Sequence, residues 1–475
     1  MSPTDPSPRV ETRYQTLLSR AVIVSTFGGL LFGFDTGVIN GALPYMRQPG
    51  QLSPTLLSRA MEGVIASSLL VGAAFGALCG GRLADRFGRR RTISILAIIF
   101  TVAAVGCATA PNVPAIVGFR ILLGLGVGGA SVTVPAYLAE IAPASRRGRI
   151  VTRNELMIVS GQFLAFVSNA VLANAFVARP GIWRWMLAMA VVPAIALWVG
   201  MSFMPESPRW FALRHRYEES LQVLCRIRPP GTARAEAAEI RRSVEAERLA
   251  AKSSWRELVT TPWLRRVLLI GILIAVVNQI NGVNSIMYYG TQVISDSGLT
   301  LSASLIANIG NGLMSLIAMI VGIWLLGYVG RRRMVITGLV GTTSAHLAIG
   351  TVSLIMTDGR IKAYVVLSLT MAFLAFMQGA VGPATWVLLS EVFPTRVRGL
   401  GMGAAIFVMW TTNFVITLLF PWAVSTDGIG ISRTFFVFAG LGCLAIATCI
   451  AWLPETKGKS LEQIEWTFAD GRIPR

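Results

Sequence analysis

Twelve apolar runs, each close to twenty residues long, occupy most of this 475-residue chain, the first at Ala21–Leu43 and the last at Thr434–Leu453. A helix needs a run of about that length to cross the hydrocarbon of a bilayer. Backbone groups find no water there, so only helices or closed barrels can span it. A barrel would show short alternating strands. These runs are continuous, and the expected fold is an all-α membrane protein with twelve transmembrane helices. Hydrophobic residues make up 54% of the chain, charged residues 14%, and the mean hydropathy is +0.63, against roughly a quarter charged in soluble domains. The polar stretch Pro205–Arg266 divides the runs six and six. The organisation this predicts is a tail over 1–20, a six-helix bundle over 21–204, a helical linker over 205–266, a second six-helix bundle over 267–454 and a tail over 455–475.

The formal charge of +19 raises the question of nucleic acid, but a nucleic-acid footprint needs the basic residues on one accessible face. Here 34 of the 42 Lys and Arg fall in alternate connecting segments, counted from the N-terminus. That is the positive-inside pattern, which puts both termini in the cytoplasm and makes the chain a multi-pass protein of the cell membrane. The N-terminus shows no cleavable leader, because the first apolar run is too long for one. Five cysteines without paired spacing indicate neither a disulfide framework nor a zinc site. The only histidines, His215 and His346, are too far apart in the chain for a metal site or a triad. The chain has no P-loop, and Gly124-Leu-Gly-Val-Gly-Gly inside the fourth run is better read as a close helix-packing seam than as a nucleotide loop. The chain is therefore not expected to be an enzyme, and no cofactor or metal is expected.

The two halves repeat. Gly81-Arg-Leu-Ala-Asp-Arg-Phe-Gly-Arg-Arg after the second run is answered by Leu326-Gly-Tyr-Val-Gly-Arg-Arg-Arg after the eighth. Glu140-Ile-Ala-Pro-Ala-Ser-Arg-Arg-Gly is answered by Glu391-Val-Phe-Pro-Thr-Arg-Val-Arg-Gly, and Pro205-Glu-Ser-Pro-Arg by Pro454-Glu-Thr-Lys-Gly. Two pseudo-symmetric bundles with a site between them are the arrangement that such a repeat predicts for a transporter. Asp85, Arg86, Arg89 and Arg90, the pairs Glu140/Arg147 and Glu391/Arg398, and Glu206, Arg331, Arg332 and Glu455 sit at the cytoplasmic helix ends. They are expected to form a gate there, with the Glu/Arg pairs latching one half to the other when the protein faces outward. The second copy has Gly327 and Tyr328 where the first has Asp85 and Arg86, so its latch should be weaker. Helical spacing over Arg234–Leu249 and Ser460–Phe468 predicts short amphipathic cytoplasmic helices.

These residues resemble the sugar porter branch of the major facilitator superfamily over roughly Ala21 to Phe468. The motifs are Gly81–Arg91, Pro205–Trp210, Gln279–Tyr289, Gly382–Trp386, Glu391–Gly399 and Pro454–Gly458. Asn154–Ala165, Asn284–Gln292 and Val321–Leu326 look most like bacterial myo-inositol/proton symporters within that branch. The resemblance implies secondary active import of a sugar or polyol, most closely myo-inositol, with protons and by alternating access, by a chain working as a monomer. A facilitative sugar uniporter and a non-transporting sugar sensor are the other readings. For substrate binding it implies Phe32, Glu155, Gln162, Asn278, Gln279, Asn284, Tyr288, Asn311, Ser315, Trp386, Trp410 and Asn413. The residues read the same way: a polyol stripped of water needs an amide or carboxylate for each hydroxyl, and the aromatic rings offer flat surfaces to its C–H face. Glu155 stands where xylose and glucose carriers have Gln, Asn278-Gln279 where they have paired Gln, Ser315 where they have Asn, and Met409 where they have Gln. Asp35, a carboxylate inside the first run, is a functional candidate by its cost alone. Arg120 is its expected partner in proton coupling. Ala190 occupies a position that is acidic in xylose symporters.

Overall fold

The computed structural model describes residues 8–143, 147–176, 180–249, 255–357, 359–394, 396–425, 427–459 and 461–470; the side chains of 8–15, 147–149, 151, 230, 247–249 and 461–462 fall outside the description. Among the described residues twelve helices are long and apolar enough to span a membrane. In the first half they are α1 (Thr16–Met46), α2 (Arg59–Phe87), α3 (Arg89–Thr109), α4 (Val113–Ile141), α5 (Thr152–Ala175) and α6 (Ile182–Ser202). In the second they are α7 (Pro262–Asp296), α8 (Leu301–Tyr328), α9 (Arg331–Ile355), α10 (Arg360–Val392), α11 (Arg398–Val424) and α12 (Ile431–Trp452). No strand occurs among the described residues. Polar side chains cap the starts remote from the basic turns: Ser58 accepts from Met61 N at 3.2 Å, Asn112 from Ala115 N at 3.0 Å and Thr300 from Ala303 N at 3.4 Å.

Within lipid there is little hydrophobic gain in bringing helices together, so contact depends on how closely backbones approach. Gly72 and Gly76 of α2 face the carbonyls of Ile121 and Leu125 on α4, while Gly124 and Gly128 of α4 face those of Leu69 and Ala73 on α2, leaving no room for a Cβ. The glycine run in α4 is thus half of a reciprocal seam, as its sequence predicts. Gly33 and Gly161 make the same seam between α1 and α5. We expect Gly72→Leu to abolish the folded carrier: solubilised protein should run as aggregate in size-exclusion chromatography, whereas Leu at Gly81, where a Cβ meets nothing, should leave the monodisperse peak intact.

Three spans that read as continuous runs are interrupted. Inside α7 the helix ends at Ile280 and restarts at Val283, with Gly282 at φ 69°, a left-handed conformation that glycine adopts without strain. Inside α10 a π-helical turn, Met377–Val381, precedes Gly382-Pro383. The α6 span breaks at Met189–Ala190. Run length is blind to these breaks, although Asn281-Gly282 and Gln378 stand at two of them. The linker forms the helices Pro208–Leu213, Tyr217–Ile227, Pro230–Leu249 and Trp255–Thr260, and the C-terminal segment forms Leu461–Ala469.

The halves meet from mid-bundle to the end remote from the Arg-rich turns. Gly63 of α2 seats on the Leu418 carbonyl of α11, Gly312 of α8 packs on Phe163 and Phe166 of α5, and α1 touches the second part of α7. Among the described residues, α4 and α10 make no comparable contact at the basic end. Among the described residues the halves are closed on each other at one end and make no such contact at the other.

Candidate functional site

Aromatic and amide side chains converge where the halves face each other. Phe32 of α1 and Trp410 of α11 approach across the divide with ring centroids 5.6 Å apart, tilted by 55°. The break in α7 turns three amides toward one another: Asn284 Nδ2 donates to Gln279 Oε1 at 2.9 Å, and Gln279 Nε2 donates to Asn278 Oδ1 at 3.0 Å. Gln279 spends one donor and one acceptor inside this chain, so its ends, Asn284 Oδ1 and Asn278 Nδ2, present an acceptor and donors outward. Gln162 Oε1 and Trp410 Nε1 are buried with no partner among the described residues, an uncommon state that calls for a ligand or water. Glu155 and Trp386 are half-buried. No described residue gives Glu155 a hydrogen bond or ion pair.

Other candidates are occupied by the fold. Asn311 Nδ2 donates to Asn308 Oδ1 at 2.8 Å and its Oδ1 accepts from Thr370 Oγ1 at 3.1 Å, while Ser315 Oγ donates to the Asn311 carbonyl at 2.9 Å. Asn311 therefore ties α8 to α10, and Ser315 is satisfied by its own helix. Asn413 accepts from Thr417 one turn on, at 3.1 Å. Tyr288 is fully buried beside Thr36 and Asp35.

Asp35 and Arg120 are both buried, at 2% and 0% exposure. Arg120 Nε donates to the Ile65 carbonyl at 2.8 Å and Nη2 to the Ala66 carbonyl at 3.4 Å. Its Nη2 lies 3.6 Å from Asp35 Oδ2, beyond good hydrogen-bond length. The guanidinium is anchored on α2 and only electrostatically joined to α1. Removing one partner of such a pair leaves an uncompensated buried charge, so the pair suits a group whose charge is switched.

The motif residues at the basic end pair within their own halves. Arg89 Nε lies 3.0 Å from Glu140 Oε2 and Arg89 Nη1 3.2 Å from Asp85 Oδ1. Glu206 accepts from the Arg90 amide at 3.0 Å, and Arg90 Nη2 donates to the Ser202 carbonyl at 2.6 Å. In the second half Arg331 Nη2 lies 3.3 Å from Glu391, Glu455 accepts from the Arg331 amide at 3.0 Å, and Arg332 Nη2 donates to the Ile450 carbonyl at 2.6 Å. Each acid thus serves its own half. Glu391 takes Arg331 in place of Arg398, whose Nε and Nη2 both donate to the Phe393 carbonyl at 3.3 Å. Glu140 takes Arg89, and the Arg147 side chain lies outside those described. Arg86 stacks over Phe87, 5.4 Å from the ring centroid. The reason is reach: with the basic end parted, the nearest cation is on the next helix of the same half. The two hubs match in their Arg–Glu pair, their capping Glu and their Arg–carbonyl bond, while Arg89–Asp85 has no counterpart because Gly327 stands in the acid's place, which is direct structural evidence of the repeat.

The family model described as "Sugar (and other) transporter" matches residues 21–468. The chain belongs to the sugar porter family. This porter is 53% identical to the major myo-inositol transporter IolT of Bacillus subtilis (strain 168), over 95% of its own length and 94% of that protein's. It is 34% identical to the galactose-proton symporter of Escherichia coli (strain K12), over 94% of each. Among solved structures it is similar to the xylose transporter XylE from E. coli in a partially occluded inward-open conformation, with a TM-score of 0.80, 28% identity, and coverage of 92% of this chain and 100% of that one. The porter is a multi-pass membrane protein and not an enzyme.

Sequence reading passed over one contact of the porter's pathway. Asn40 of α1 reaches across to α7, where Nδ2 donates to the Met287 carbonyl at 2.6 Å and Oδ1 accepts from the Thr291 amide at 3.0 Å. Met287 and Thr291 are the two ends of one helical rung. A buried amide five residues beyond Asp35 in the same apolar run was the available signal.

Proposed function

We propose that this porter imports a polyol, myo-inositol in the first instance, together with a proton. The observation that carries the reading is the buried Asp35–Arg120 pair with its long contact, set beside a pathway whose unpartnered polar atoms are those a polyhydroxylated ring would use. The kinship with a myo-inositol transporter and with a proton symporter supports it. With the basic turns in the cytoplasm, the parted end faces inward. In this scheme a proton taken up by Asp35 from outside releases Arg120 from α1, and the loaded carrier turns inward. Loss of the proton to the cytoplasm restores the pair. Phe32 and Trp410, already in contact with each other, together offer one apolar wall to the ring, Gln162 and the amide chain of α7 meet its hydroxyls, and Glu155 accepts two more.

The test is uptake of labelled myo-inositol into proteoliposomes with and without an inward proton gradient, competed by xylose and glucose. Accumulation above equilibrium under the gradient is expected, with inositol preferred. Equilibration indifferent to the gradient would make the porter a facilitator. Glu155→Gln should raise the KM for inositol and narrow its advantage over xylose; unchanged selectivity would remove Glu155 from the binding set.

A further inference from the structure

At the end of α2 remote from the basic turns lies a polar cluster that serves none of the roles above. Glu62 is only 1% exposed although it sits in the first turn of its helix. Two arginines of its own half hold it, Arg47 at 3.1 Å and Arg59 at 3.4 Å. The other half reaches the same carboxylate: Gln292 Nε2 of α7 donates to Glu62 Oε2 at 3.3 Å. One turn further along α7, Asp296 Oδ2 accepts from Arg59 Nη2 at 3.0 Å. The next residue of α2 is Gly63, the one seated on the Leu418 carbonyl of α11. Two polar bonds and a backbone seat therefore join the halves within about one turn of α2.

Contacts of this kind differ in consequence from the hubs at the basic end. A bond inside one half is present whichever way the carrier faces. A bond between halves exists only while that end is closed, so its energy enters one state alone and shifts the balance between them. The same stretch of α2 supplies, at Ile65 and Ala66, the carbonyls that hold Arg120. The cross-half bonds and the Asp35 partner are thus fixed to a single helical segment.

We propose that Arg59–Asp296 and Glu62–Gln292 form a latch that keeps the outer end of the pathway shut, with Glu62 as the positioning residue that aims Arg59 at α7. The inference rests on the alternating-access reading above. Breaking the latch favours the outward-open state, which raises the fraction of carriers able to take substrate from outside and lowers the external KM in proportion. Maximal uptake falls at the same time, because the inward-facing state has lost support.

The test alters only the α7 side, as Gln292→Ala with Asp296→Asn, leaving Glu62 and both arginines paired within their own half. Phe166→Cys, introduced into a chain without its five native cysteines, reports opening, since Phe166 packs against Gly312 of the other half. Labelling by a membrane-impermeant thiol reagent from outside should speed up about threefold, the scale of a partly exposed ion pair. External KM, measured in the chain that keeps its cysteines, should fall by a similar factor together with the maximal rate. The Gln292 with Asp296→Glu chain should restore both. Labelling and KM equal to the parent's would overturn the proposal, as would a lower rate with no fall in KM. Labelling needs no substrate, so faster labelling in a chain that fails to accumulate inositol would support the latch while sinking the substrate reading.

Discussion

Asp35→Asn is expected to abolish accumulation of substrate while leaving exchange across the membrane intact. One proton per substrate and a gradient of one pH unit can sustain about tenfold accumulation, since a unit of pH is worth about 1.4 kcal/mol; the variant should reach a ratio of one. Asn has the shape of protonated Asp and cannot ionise, so the carrier should be held in the state that turns when loaded. Arg120 keeps its bonds to the Ile65 and Ala66 carbonyls but loses its counter-ion, as it does whenever Asp35 is protonated, so the variant should fold with reduced stability. Proteoliposome uptake and counterflow, run on the same preparation, separate the two quantities. Accumulation equal to the parent's would show that the proton is carried elsewhere.

The second large effect is expected at Gln279. Its side chain links Asn284 to Asn278 by two hydrogen bonds, so Gln279→Ala deletes the middle of the chain and strands both neighbours at the wall of the pathway. A polar contact to the bound polyol that is lost or left unsatisfied costs about 1–3 kcal/mol, which corresponds to a KM raised about 5- to 160-fold. Asn311→Ala should behave in the opposite way. That residue bonds Asn308 and Thr370, so its loss should lower the melting temperature and leave KM near the parent's. Counterflow kinetics and thermal unfolding of the two variants, side by side, test the distinction between an amide that faces substrate and one that ties helices.

That distinction marks the boundary of what the sequence makes legible. Run length identifies the twelve spans, because the thickness of the bilayer fixes it, and the glycine spacing in α4 identifies a seam, because only a missing Cβ lets carbonyls approach. The repeated motifs announce two related halves. Motif spacing leaves open which helix an acid will pair with: Glu391 meets Arg331 and not Arg398, a matter of helix packing in a carrier parted at that end. Asn311 and Gln279 are both amides in apolar runs, and only their surroundings, Asn308 and Thr370 against the first and the break in α7 beside the second, decide which one has bonds to spare. Glu62 lies at the start of an apolar run, where an acid reads as an ordinary helix beginning; its burial comes from Gln292, some 230 residues away.

The amide of Asn40 engages both ends of one rung of α7, the Met287 carbonyl and the Thr291 amide. When the outer end opens, that rung can close on itself, so the receiving helix goes through the cycle with nothing left dangling. The hydrogen bonds that parting breaks here are those of one side chain, Asn40. A fastening of this kind works as a reversible clasp: it fixes the angle at which the halves meet while adding little to the barrier for parting them, as a carrier that must cycle many times requires.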